Sequence, residues 1–232
     1  MRCFEQIRND VCFHDLDVTL LGIGSGLSYG ILSNTHFALE DIAILRTLPN
    51  MTIFSPADEM EGRLGMKSLK DYNHPVYVRI GLRTEPVVYP RPFNFILGKG
   101  NVLKEGKDIV IFVTGNLIEE TLKAAKILEN KIKVHATVID IHTIKPIDKK
   151  IILRNVKNKK TVFTVEEHGV IGGLGDAVLS VIGENPVNVR VIKIGMADQY
   201  VKVVGNRDYL RKVFGLDSLG IAGKIEKSLN NL

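Results

Sequence analysis

Short apolar runs alternate with helix-patterned stretches twice along this chain, and no other feature restricts its fold as strongly. Val18–Ile23 is apolar at nearly every position, as in a strand buried on both faces of a parallel sheet. Met51–Phe54 and Val76–Ile80 repeat the pattern. Between these runs, Thr35–Arg46 and Glu59–Lys70 are expected to be helices, with Thr35 and Asp58 as their N-caps. Strand, helix, strand, helix, strand is the order of right-handed crossovers. Arg2–Val11 reads as a further helix, with Phe4, Ile7 and Val11 on one face and no oxygen-bearing side chain at its start.

Pro86, Pro90 and Pro92, followed by Gly98, Gly100 and Gly106, break the alternation and predict a linker. Beyond it, strands are expected at 108–114, 133–140, 161–165 and 189–194. Helices are expected at 119–129, from Gly175 to Gly183, and at 208–213 and 224–229. The reading is an α/β chain of two parallel-sheet domains, 1–85 and 107–232, joined by a linker at 86–106. Three strands are few for the first of them, since doubly wound sheets usually have five or six.

The 232 residues are 45% hydrophobic and 25% charged, which excludes a disordered or fibrous chain. Thirty-one Lys and Arg against 26 Asp and Glu give a net charge of +5. The excess is scattered, with Lys157, Lys159 and Lys160 as its densest run. A nucleic-acid partner is therefore not expected, whereas a basic surface that attracts phosphorylated small molecules is. The two cysteines, Cys3 and Cys12, form neither a disulfide framework nor a metal motif, so a reducing cytoplasm is expected. No stretch of about 20 apolar residues predicts a membrane span.

Few residues stand out as chemistry. The glycines between Gly22 and Gly30 do not fit the dinucleotide fingerprint, and Gly24-Ser25-Gly26 is too short for a nucleophile elbow. They are expected to let a substrate or another backbone approach closely. His36 follows a strand's C-terminal end, where open α/β sheets place ligands, and a histidine there can move a proton near neutral pH. Arg79 lies within an apolar strand, with Arg83 just beyond it. A buried arginine needs either a core carboxylate or a substrate phosphate as its partner. Glu166-Glu167-His168 precedes Gly172-Gly173-Leu174-Gly175 and a helix. That helix start suits an anion, though tight loop packing is the favoured reading. The histidines show no ligand-like pairing, and no metal site is expected.

Taken together, the segments resemble one family. Thr35-His36-Phe37-Ala38-Leu39-Glu40-Asp41, Arg46-Thr47-Leu48-Pro49-Asn50 and Ser55-Pro56-Ala57-Asp58 are similar to the pyrimidine-binding domain of transketolases. Pro75–Arg79 continues that match. Asp140-Ile141-His142-Thr143-Ile144-Lys145-Pro146, Val165–His168 and Gly172–Asp176 resemble the family's C-terminal domain.

The resemblance implies a truncated pyrimidine-binding domain followed by a transketolase C-terminal domain. The implied reaction transfers a two-carbon ketol unit between sugar phosphates with thiamine diphosphate and Mg2+. It marks His36 as the catalytic histidine, Arg79 and then Arg83 as substrate-phosphate ligands, and Arg2 as a neighbour of the cofactor's pyrimidine. The family's activating glutamate and stacking aromatic precede the segment that begins here at Arg2. An N-terminal transketolase section with the diphosphate-binding domain is therefore the expected partner, in a homo- or hetero-oligomer, and the isolated chain is expected to be inactive. Leu32 stands where the family has an acidic residue, and Gly24 near a second substrate histidine, so acceptor choice is expected to differ. The alternatives are a non-catalytic assembly or regulatory module descended from the family, or a β subunit like those of 2-oxo-acid dehydrogenases.

Overall fold

The computed structural model describes residues 2–230. Its first sheet holds β1 (Thr19–Ile23), β2 (Thr52–Phe54), β3 (Val76–Ile80) and β7 (Thr143–Lys145), in the order β1-β3-β2-β7. The first three run parallel, and β7 pairs antiparallel to β2. The second sheet has the order β4-β6-β5-β8-β9, from β4 (Asn101–Lys104), β5 (Ile109–Val113), β6 (Ala136–Asp140), β8 (Thr161–Gly169) and β9 (Arg190–Met196). Only β4 is antiparallel there. The α/β reading with two mostly parallel sheets holds.

Two short strands escaped the sequence reading. β4 lies inside the Pro- and Gly-rich stretch read as linker, and β7 lies inside the second alternation yet supplies the fourth strand of the first sheet. Both are only three or four residues long, too short for a period to show. The pairing of β7 with β2 ties the two lobes together.

Burial corrects one further expectation. β2, β5 and β6 are buried at every position, but β1 is an edge strand, with Leu21 and Ile23 more than half exposed. In the second lobe, Val110 and Phe112 face one apolar layer with Leu174 and Val178, while Ile111 and Val113 face the other with Ile118 and Leu128. These layers enclose the sheet between helices α4 (Ile118–Ile132) and α8 (Ser218–Asn230) on one side, and α5 (Lys149–Val156) and α6 (Leu174–Gly183) on the other.

Helix starts follow their caps. Asp58 caps α3 (Glu59–Ser68) by accepting from Glu61 N at 3.0 Å, and its other oxygen accepts from Val88 N and Tyr89 N, both at 2.7 Å. Asp148 caps α5 and Asn206 caps α7 (Arg207–Phe214) in the same way. Thr35 caps nothing. The second helix, α2, runs only over Asp41–Arg46, because Ala38 is engaged in an antiparallel bridge to Gly26 and cannot join a helix. Gly30–Thr35 forms a 3-10 segment instead. The N-terminal helix is α1 (Phe4–Gln6), continued by π turns over Ile7–Cys12, and no side chain caps it.

Candidate functional site

The site forms where the loops after β1 and β3 meet the second lobe. Gly24 N and Ser25 N both donate to Ile80 O, at 2.9 and 3.0 Å, which fixes the turn leaving β1. The chain then makes a closed excursion from Gly26 to Ala38, whose ends exchange two 3.1 Å backbone hydrogen bonds. Gly26 has φ +60, and a Cβ there would run into the carboxylate of Glu167. At Gly26 the close approach is thus by a side chain of the second lobe, whereas Gly30, with φ +51, lies against the backbone of Gly205 and Asn206.

His36 rides on this excursion and is exposed. Its Nδ1 lies 2.9 Å from Thr35 Oγ1, and its ring sits 5.7 Å from that of Tyr29. Tyr29 also lines a cavity of about 200 Å³, together with Ser28, Gly30, Arg83 and the start of α7. His36 and the exposed Arg83 therefore flank one tyrosine. An aromatic wall with a proton carrier on one side and a fixed cation on the other suits a phosphorylated, hydroxyl-bearing ligand. A larger groove of about 1090 Å³ runs between α3 and the open face of β1 and β3, with Arg83 at its rim and no contribution from His36.

Arg79 lies elsewhere. It is 2% exposed; its Nε donates to Asp41 Oδ2 at 2.7 Å, and one terminal nitrogen donates to Ala38 O at 2.8 Å and Glu167 O at 3.0 Å. Of the two partners the sequence left open, the structure gives it a core carboxylate. Burial disfavours the Asp41 carboxylate, yet the Arg79 guanidinium, by charge and hydrogen bond, holds its pKa below the ordinary value. Arg2 is exposed in the turn that leads into α1.

The Glu166-Glu167-His168 run is buried throughout. Glu166 accepts from Leu174 N at 2.7 Å and Gly175 N at 2.9 Å, so the anion at the start of α6 is the chain's own carboxylate. Burial nonetheless pushes its pKa up to about 7. His168 is drawn down to about 4 by burial and then by the nearby Arg79 charge. Arg46 of α2 donates to the carbonyls of Gly172 and Gly173 at 2.6 and 2.7 Å, and a Cβ at Gly172 would meet Ala43. Gly173 and Gly175 pack the loop on the sheet, against Glu166 of β8 and Lys193 of β9, as favoured, and Gly172 packs it on α2 as well. Sequence reasoning missed Asp41, Tyr77, Arg46 and Arg211 as members of this interior network. Only Arg79 signalled it, as a charge inside an apolar strand.

Comparison with known proteins spans the whole arrangement. Residues 1–83 match the family model described as the transketolase pyrimidine binding domain, and residues 98–221 match that of the transketolase C-terminal domain. A subunit of the apulose-4-phosphate transketolase of Phocaeicola vulgatus is 40% identical, over 95% of this chain and 70% of that protein. A 6-deoxy-6-sulfo-D-fructose transketolase subunit of a Clostridium species is 35% identical, over 93% of this chain and 66% of that protein. Among solved structures, one described as a split gene transketolase, inactive beta4 tetramer, superposes with a TM-score of 0.86 at 36% identity. It covers 99% of this chain and 72% of that one.

Proposed function

Because the chain belongs to the transketolase family, we propose that it is the C-terminal subunit of a ketol transferase that acts on sugar phosphates together with a companion chain. The observation that carries this reading is the likeness to one subunit of a multi-chain transketolase along 95% of the chain. Relatives named for apulose-4-phosphate and for a sulfo-fructose, both ketoses and so donors of a ketol unit, support substrates outside the ordinary set, in line with Leu32 and Gly24 at two substrate positions.

Thiamine diphosphate with Mg2+ is the cofactor of this proposal. Among the described residues, no three His, Cys, Asp or Glu side chains converge, and the one anion-binding helix start described above, that of α6, is filled by Glu166. The proposal therefore assigns the magnesium diphosphate cradle to the companion N-terminal section, with Arg2 near the pyrimidine. His36 contacts the sugar oxygens and relays their protons, and Arg83 draws the phosphate. Arg79 is already engaged by Asp41 and by the carbonyls of Ala38 and Glu167, so its proposed part in substrate binding is first to hold the loop that carries His36. The exposed Leu21 and Ile23 on the edge strand β1 give a companion chain or a second copy an apolar face to cover. No described helix is long and apolar enough to cross a membrane, and the proposed compartment is the cytoplasm.

The test is ketol transfer by the chain purified alone, then with its companion, both with thiamine diphosphate and Mg2+. Activity is expected only in the mixture, with a loss of about 10²–10⁴-fold on His36→Ala. Turnover by the chain alone would sink the proposal. The second reading, an assembly module, draws support from the engagement of Arg79 in the interior. It predicts a complex with the companion that forms equally well without His36 and never turns over.

A further inference from the structure

The loop that presents His36 has no sheet of its own; the second lobe holds it directly at two points, and Arg79 of β3 links it to that lobe at a third. Leu27 N donates to Glu167 Oε1 at 2.7 Å. Asn34 exchanges two hydrogen bonds with the backbone of Val201, at 2.7 and 2.9 Å. Ala38 O accepts from Arg79, whose same nitrogen also donates to the carbonyl of Glu167. Glu167 therefore holds one end of the loop directly, through its side chain, and is tied to the other end through Arg79, which bridges its carbonyl to that of Ala38. It is 1% exposed, and its remaining carboxylate oxygen accepts from Arg211 Nε. Arg211 in turn donates to Asn116 O at 3.2 Å, and the Asn116 side chain donates to Ser25 Oγ at 3.2 Å. Leu27 and Ser25, on the first side of the neck, thus lead back to this one carboxylate.

We infer that Glu167 is a positioning residue for His36: from the second lobe it fixes the neck of the Gly26–Ala38 loop and so the place of the imidazole against the substrate. The inference rests on the proposed transferase reading for what His36 does, but not for how its loop is held. An interior carboxylate pinned by one backbone N–H and one guanidinium leaves the loop little freedom to slide. A displacement of about 1 Å in a reacting group can cost about 10²-fold in rate.

Two measurements test it separately. In the full chain alone, amide hydrogen exchange of Glu167→Ala should show Leu27 and Ala38 losing protection at least about tenfold, while β5 and β6 keep theirs. Arg211→Lys, which retains a cation for Glu167 and leaves Leu27 its acceptor, should keep the loop protected. Gly26→Ala, which drives a methyl group against Glu167, should release the loop as Glu167→Ala does, and serves should Glu167→Ala fail to fold. With the companion chain present, Glu167→Ala should lower kcat about tenfold or more when His36 is intact, and less than about twofold in a His36→Ala background, because both changes remove the same contribution. Unchanged exchange at Leu27 and Ala38 overturns the inference, as does an equal loss of kcat in both backgrounds. If the wild-type mixture shows no ketol transfer, the transferase reading fails while the exchange measurement still decides the role of Glu167.

Discussion

The carboxyl groups of Glu61, on α3, and Asp140, at the end of β6, are fully buried at the seam between the lobes and influence each other's titration. Glu61 Oε2 accepts from Ala57 N at 2.7 Å and Asp140 Oδ2 from the Tyr89 hydroxyl at 2.7 Å. Glu61 Oε1 and Asp140 Oδ1 are buried without a hydrogen-bond partner among the described residues. Burial raises both pKa values, that of Asp140 to about 6, and the nearby Asp58 charge adds to each. A carboxyl whose folded pKa is raised stabilises most below its unfolded value and loses that contribution as pH rises through the folded value.

Glu61→Gln supplies a permanent N–H donor to Asp140 and cannot titrate. Its stability relative to wild type should therefore improve as pH rises from the ordinary carboxylate range through about 6. Urea unfolding at a series of pH values reads this directly. A difference between the two proteins that stays flat with pH would show that Glu61 does not take up a proton on folding.

A second prediction concerns Arg79 and Asp41, both deeply buried. Tyr77 Oη also donates to Asp41 Oδ2, at 2.8 Å, so removing the arginine leaves a carboxylate with one neutral donor. Arg79→Met is expected to cost about 3–5 kcal/mol. Adding Asp41→Asn, which removes the stranded charge, should recover part of that loss. Additive penalties in the double-mutant cycle would argue against the pair as the source of the effect.

How far the sequence reaches depends on the range over which a residue acts. The long strands and helices of the second lobe were legible because burial writes a period into neighbouring positions. Asp58 was legible as a cap because capping acts within three residues. β7 was not, since its place is set by β2, about 90 positions earlier in the chain. Thr35 was misread for a related reason: the Gly26–Ala38 bridge, closed across twelve residues, outcompetes the helix that its cap would start. The resemblance marked His36, but its link to Glu167 runs over more than 100 positions, and no local pattern carries it.

A third prediction runs opposite in pH to the first. His142 is fully buried, its ring 4.5 Å from that of Phe95 and 5.8 Å from that of Phe54. Burial lowers its pKa to about 4, against an opposing pull from Asp148. The folded state holds fewer protons than the unfolded chain between about 4 and 6.5, so this histidine's stabilisation is complete above about 6.5 and is lost as pH falls towards 4. His142→Phe keeps an aromatic ring between its neighbours and abolishes the titration. Its stability relative to wild type should rise on acidification over that window, and a parallel fall of both proteins would exclude His142 as the group responsible.

The last prediction sets one substitution at two helical positions with opposite signs. Alanine in place of glycine inside a helix gains about 0.5–1 kcal/mol from backbone entropy alone. In α8, a Cβ at Gly223 meets nothing within 4 Å, so Gly223→Ala should deliver that gain in full. In α3, Gly65 is buried and its Cβ would overlap the ring of Phe54, itself fully buried beneath the helix. A packed core with no slack loses about 1–3 kcal/mol to an added methyl group, more than the helix gains, so Gly65→Ala should destabilise. Thermal unfolding of the two variants side by side gives the comparison. Stabilisation by both would mean that the ring of Phe54 yields freely and that α3 does not rest on it as closely as the structure places it.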